Sequence, residues 1–125
     1  MENEMRKLII FILMLLPMVA QADEWSKKDI GLEAAYLGVW AMDWKQTQMI
    51  ARNPDRFYEA NMYKVIGRNP SVNHVNQYFL AGALLHVAIV NALPEKYRTV
   101  FQAVSISSEV VFVKRNYSIG LTVKF

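Results

Sequence analysis

The sequence predicts a mainly α-helical protein: a small bundle of two to three apolar helices, associated with a membrane, with a short C-terminal β-strand or extended tail. Three observations predict it. An apolar run from Leu8 to Val19, interrupted only by Pro17, follows the basic pair Arg6-Lys7. Glu33, Tyr36, Trp40, Asp43, Thr47 and Ile50 recur at steps of three and four, the spacing of one helix face. Val75 to Leu93 carries no formal charge. As a helix it would extend roughly 28 Å, against a bilayer core of roughly 30 Å.

The first element reads as a secretory signal peptide over 1–22. It has a charged start, a short apolar centre, and Ala20-Gln21-Ala22 as a small-x-small cleavage site ahead of Asp23-Glu24. Leu8 to Ala20 would span roughly 20 Å of helix, too short to cross a bilayer comfortably. Pro17 breaks that helix just before the cut. Glu2 and Glu4 are unusual in such a region, and translation from Met5 would open it on Met-Arg-Lys. Cleavage after Ala22 leaves one domain, 23–125, with a modest core.

The chain of 125 residues has a net charge of +3 and no cysteine. Disulfides and a lipid-modified cysteine are therefore excluded. Basic residues are interspersed with acids and form no stripe, so no nucleic-acid partner is expected. Mean hydropathy is +0.11, and the leader supplies the excess. A small domain without staples must pack well, form a homo-oligomer, or draw on membrane lipid or another envelope protein as partner.

Within the domain, Ser26-Lys27-Lys28-Asp29 has the form of a capping box. The helix it opens runs to Arg52, where Asn53-Pro54 stops it. Beside its acidic-aromatic stripe runs a second face of Ala34, Leu37, Gly38, Ala41 and Met42, which predicts a helix buried on most sides. Residues 53–74 read as loop, with turn signals at Asn53-Pro54-Asp55 and Gly67-Arg68-Asn69-Pro70-Ser71 and a helical turn around 55–60. Ser71 is positioned to cap the next helix, Val75 to Leu93, which Pro94 ends. Ala81-Gly82-Ala83 offers that helix a close approach to a neighbour. Tyr97 to Val113 is apolar but of ambiguous type. Tyr117, Ile119, Leu121, Val123 and Phe125 alternate with Ser118, Gly120, Thr122 and Lys124, a strand period. The Ser118–Phe125 tail resembles the C-terminal signal of outer-membrane barrels, although the rest of the chain lacks the strands a barrel needs.

If all three segments span, Arg56, Lys64, Arg68, Lys114, Arg115 and Lys124 fall inside, while Lys27, Lys28, Lys96 and Arg98 stay outside, a weak positive-inside bias. Glu33, Asp43, His86 and Glu109 interrupt apolar segments, where ionisable residues are functional suspects. His86 is expected to pair with Glu109 or Asp43. Asp43 and Thr47, one turn apart, can share a hydrogen bond, and loop groups such as Asn61 or Arg56 can donate to Asp43. Glu59 is expected to accept from backbone N–H groups around Gly67. The candidate polar cluster is thus Asp43, Thr47, Glu59, Asn61, His86 and Glu109. No metal-ligand spacing is present: His74 and His86 stand too far apart on one helix for a shared ion. Ser105, Ser107 and Ser108 form no nucleophile elbow. No cofactor, metal or catalytic residue is expected.

Asp43-Trp44-Lys45-Gln46-Thr47, Tyr58-Glu59-Ala60-Asn61, Pro70-Ser71 and Asn116-Tyr117-Ser118-Ile119-Gly120 carry a resemblance over most of residues 23–125. The chain resembles a family of small signal-peptide-bearing envelope proteins of bacteria and their phages. It departs from the family pattern at Met62, where a proline follows Asn61 in the others. The resemblance implies a place in the cell envelope, and for a phage protein a role in modifying it, but no reaction. Three expectations follow. The first is a structural or interaction protein of the inner membrane or periplasm. The second is a periplasmic enzyme or ligand-binding protein built on the buried Asp/Glu/His cluster. The third is an outer-membrane protein held by its C-terminal strand.

Overall fold

Capping chemistry fixes where the helices begin. The computed structural model describes residues 2–7, 9–10, 24–60 and 62–123. The first helical stretch, α1, covers 2–7 and 9–10 and carries an exposed Glu4–Lys7 pair at 2.7 Å. The centre of the expected leader and its cleavage site lie outside the described residues. Helix α2 (Lys27–Arg52) opens with the full capping box: Ser26 Oγ accepts from the Asp29 amide at 3.1 Å, and Asp29 Oδ2 accepts from the Ser26 amide at 2.9 Å. It ends at Asn53, as the following proline requires. Helix α4 (Val72–Ala92) is capped by Ser71. Helix α5 (Glu95–Ser118) begins after Pro94.

Three expectations are corrected. The loop carries a short helix, α3 (Tyr63–Ile66), not expected from the sequence, and the turn expected around 55–60 sits slightly earlier, where the Asn53 carbonyl accepts from the Arg56 and Phe57 amides. Tyr97 to Val113 is helical throughout, because α5 runs unbroken to Ser118. The C-terminal strand is absent: Tyr117 and Ser118 close α5, Gly120 turns at φ 99, and no described residue is in a strand. A lone strand has no partner to satisfy its backbone. Its apolar residues serve another end: Leu121 is fully buried against Ile50 and Phe57, which docks the tail onto the end of α2. Lys124 and Phe125 lie outside the described residues.

Helix α2 is the hub. It packs along both α4 and α5, which touch each other little. Asp29–Arg98 at one end and Gln46–Val113 at the other show that α2 and α5 run parallel, with α4 antiparallel to both. Three tryptophan N–H groups tie the α2 side to α4: Trp25 to Asn91 Oδ1, Trp40 to the Phe79 carbonyl, and Trp44 to Asn76 Oδ1, each at 2.8 Å. Tyr36, Trp40, Val75 and Phe79 form the main apolar core.

The packing is inverted relative to ordinary globular practice. The interior holds Asp29, Glu33, Gln46, Arg98, Gln102 and Glu109, while Ile30, Leu80, Leu84, Val100, Val104 and Val111 are exposed, Val100 by 64%. The small-residue face of α2 points outward: Ala34 and Gly38 are exposed, so the helix is not buried on most sides. The acidic-aromatic stripe is the face that goes in. Helix α4 is the one described helix long and apolar enough to cross a membrane by length and composition, and only 22% of its most apolar stretch is buried.

Gly82 is where α4 meets α2 most closely. A Cβ there would stand 2.5 Å from Trp40 Cζ2, on a ring pinned by its own hydrogen bond. Gly82→Ala should destabilise the fold by about 1–3 kcal/mol through overpacking. Gly38→Ala, where a Cβ meets nothing within 4 Å, should stabilise it by up to about 1 kcal/mol through helix propensity. Unfolding followed by circular dichroism measures both.

Candidate functional site

The inward face of α2 carries two polar clusters about 15 Å apart along the helix axis, from Glu33 to Asp43. In the first, Arg98 has no exposed surface. Its Nη1 donates to Asp29 Oδ2 at 3.2 Å and to the Glu24 carbonyl at 3.1 Å. Its Nε donates to the Val90 carbonyl at 2.9 Å and its Nη2 to the Asn91 carbonyl at 3.2 Å. Those last two carbonyls belong to the final turn of α4, whose acceptors lack intrahelical partners. A cation is favoured there. One turn further, His86 Nδ1 lies 2.7 Å from Glu33 Oε1, and Gln102 Nε2 donates to Glu33 Oε2 at 3.1 Å and to the Asp29 carbonyl at 2.9 Å. The His86 ring is held between Tyr36, at 3.5 Å between centroids, and Phe101, at 4.9 Å.

The second cluster joins α2, the 53–71 loop and α5. Asp43 Oδ1 accepts from Asn116 Nδ2 at 3.0 Å and lies 3.4 Å from Thr47 Oγ1, whose stronger bond goes to the Asp43 carbonyl at 2.8 Å. Asn116 also donates to Gln46 Oε1 at 3.0 Å, and Gln46 donates to the Val113 carbonyl at 3.2 Å. The Glu109 and Asp43 carboxyls line the same small cavity, and Glu109 Oε2 is buried without a hydrogen-bond partner. Glu59 enters from the loop, where its Oε1 accepts from the Met62 amide at 3.1 Å and its own amide donates to the Arg68 carbonyl at 2.7 Å. A cavity of about 30 Å³ lies between Asp43, Thr47, Glu59, Tyr78 and Glu109.

Four of the expected residues therefore converge: Asp43, Thr47, Glu59 and Glu109. His86 does not join them. It pairs with Glu33, because the antiparallel course of α4 carries it to the other end of the bundle, and the expectation of Glu109 or Asp43 is corrected. Asn61 lies outside the described residues. Arg56 is exposed over the Phe57 ring, and the Asp43 donor is Asn116 instead. Glu59 Oε1 accepts from the Met62 amide, and the Glu59 amide donates to the Arg68 carbonyl beside Gly67. Sequence reasoning missed Arg98, Gln102 and Asn116. Arg98 looks like a surface cation at the edge of an apolar run. Its one signal is the seven-residue pair of steps to Ser105 and Phe112 on the face that also holds Glu109.

Among the described residues no group of three His, Cys, Asp or Glu side chains is disposed to hold a metal ion. The 30 Å³ cavity admits one water-sized guest and is an order of magnitude below the roughly 300 Å³ at which organic ligand sites begin. Comparison with protein families, curated proteins and solved structures finds no match to this chain.

Removing one partner of a buried ion pair strands the other. Arg98→Leu should destabilise the bundle by about 3–5 kcal/mol. Arg115→Leu, at an exposed position, should change stability by no more than about 0.5 kcal/mol. Denaturant titration of the two variants measures the contrast.

Proposed function

We propose that this protein is an integral helical protein of the bacterial cell envelope, exported by its leader, with a structural or interaction role. The observation that carries the reading is the inverted packing. Charged and amide side chains bond one another inside the bundle, and the belt around it carries no charge. From Ile30 to Trp44 on α2, from Tyr78 to Leu93 on α4 and from Val100 to Val113 on α5, every exposed residue is apolar, small or a serine. The hydroxyls of Ser105 and Ser107 donate to their own helix, to the carbonyls of Phe101 and Ala103 at 2.8 Å, as polar groups facing lipid must.

The ends of the belt support the same reading. Tyr97 and Tyr117 are exposed and twenty residues apart on α5, about 30 Å of helix, and tyrosines mark the two interfaces of a bilayer. The bundle end around Tyr117 is basic, with Arg52, Arg56, Lys64, Arg68, Lys114 and Arg115 exposed against Asp55, while Glu2 and Glu4 of α1 are offset by Arg6 and Lys7. The opposite end mixes Lys27, Lys28 and Lys96 with Glu24 and Glu95. This asymmetry favours the basic end in the cytoplasm. Glu4 and Met5 line a groove with Val65, Ile66 and His74 at that basic end, the side on which a leader's first residues remain. Membrane lipid, another envelope protein or a second copy would then cover the Leu80, Leu84, Val100 and Val104 faces.

The enzyme or ligand-binding reading receives less support, since His86 stands apart and the cavity is too small for an organic substrate. An outer-membrane anchor through the tail has lost its strand.

The absence of native cysteine makes the topology directly testable. The expected outcome is retention of the protein in the membrane pellet after carbonate extraction. Lys28→Cys should react with a membrane-impermeant maleimide from the periplasmic side, and Arg115→Cys only after the inner membrane is opened. Release of the full chain by carbonate, or labelling of Arg115→Cys in sealed spheroplasts, would overturn the proposal.

A further inference from the structure

The geometry points to a proton-binding site at the Asp43–Glu109 pair, with a single proton held on Glu109 and accepted by Asp43 at neutral pH. It does not depend on what surrounds the bundle, because the pair is enclosed by the protein's own helices and loop.

Three observations carry it. First, the two carboxyls face one cavity of about 30 Å³. Two carboxylates are both acceptors only, so neither can satisfy the other unless one of them carries a proton. Second, Glu109 is 93% buried by the complement of its 7% exposure, and no donor reaches its Oε2. An ionised carboxylate left in that state is heavily penalised. Protonation turns the orphan acceptor into a donor aimed at Asp43. Third, the lining of the adjoining cavity brings together Asp43, Glu59 and Glu109 and includes no Lys, Arg or His. Asp43 and Glu109 both ionised across so small a space would repel, and one proton on the pair removes that repulsion. The described acids are not disposed to share a metal ion, which leaves the proton.

The asymmetry between the two carboxyls decides where the proton rests. Asp43 Oδ1 receives the Asn116 amide at 3.0 Å, a donor that Glu109 Oε2 lacks. The other titratable groups that face the pair are Glu59 from the loop, Tyr78 from α4 and Tyr36 from α2. None of them supplies a positive charge. The first cluster differs in its partners: Asp29 meets Arg98, and Glu33 meets His86 and Gln102, so each of those carboxylates has a nitrogen partner. Only at the loop end, nearest the basic face, does a carboxylate meet another carboxyl.

Infrared spectroscopy of the full chain, purified in detergent or in lipid nanodiscs, tests the assignment. At neutral pH in sodium-free buffer the wild type should show a protonated-carboxyl C=O band that shifts on exchange into D₂O. Glu109→Gln should lose that band while keeping its helical circular dichroism. Asp43→Asn should keep a band displaced in frequency, because the Glu109 proton then meets an amide oxygen. If Glu109→Gln does not fold, the Asp43→Asn displacement decides the matter. No band at neutral pH, a band unchanged in both variants, or a wild-type band abolished by adding sodium alone would each overturn the proposal, the last in favour of a bound cation.

Discussion

Arg98 sits without solvent exposure where α2, α4 and α5 meet. Its guanidinium spends its donors on all three partners: the Asp29 carboxylate in the first turn of α2, the last-turn carbonyls of α4, and the Glu24 carbonyl ahead of α2. The planar fork of an arginine suits such a many-acceptor junction, which a lysine ammonium would not reproduce. The contact also explains how the bundle keeps its form when α4 and α5 scarcely touch. They are joined by a tight turn at Pro94, by Arg98 reaching back across it and by the His86–Phe101 ring contact, and below that point α2 does most to locate each.

From that junction the inward face of α2 unrolls as a sequence of obligations. Asp29, Glu33, Tyr36, Trp40, Asp43 and Thr47 follow one another at helical spacing, and each polar member must find a partner inside the bundle. Gln102, His86, the Phe79 carbonyl and Asn116 supply them in turn. These bonds set the register of α2 against both α4 and α5. A shift of one residue would turn every partner about 100° away from its mate. Apolar packing alone would resist such a slip less, because Val, Ala and Ile contacts are interchangeable. In a setting of low dielectric the satisfied bonds are stronger, and the unsatisfied ones more damaging, than in water.

The inverted distribution of polarity and the proton at Glu109 are two answers to one condition. Inside the bundle there is no bulk water to receive a polar side chain that fails to pair. Cations and amides resolve the condition at one end of the bundle. At the other, where Asp43 and Glu109 face each other beside Glu59, it is resolved by a proton. The loop that contributes Glu59 also carries Arg56, Lys64 and Arg68, so this end is where the buried chemistry lies nearest the charged surface.

Much of this was legible in the order of residues. The capping boxes, the proline stops, the stripe on α2, the apolar span of α4 and the close approach at Gly82 all depend on neighbours within a turn or two, which local rules describe well. Asp43, Thr47, Glu59 and Glu109 were recognisable as a polar group because charges inside apolar runs are rare. Partner choice was not legible. Which carboxylate meets His86 depends on the antiparallel course of α4, and Arg98 is ordinary in sequence and central only once three helix ends converge on it. The strand period of the tail was real, but period two states only that alternate residues differ. It took the apolar slot between Ile50 and Phe57 to claim Leu121 for docking, and a strand without a neighbour has nowhere to place its hydrogen bonds. By itself the sequence determined the helices, their ends and the polar stripe, through interactions a few residues long. The tertiary structure alone decided which face turned inward and which groups satisfied one another, because those interactions join residues some fifty to seventy positions apart.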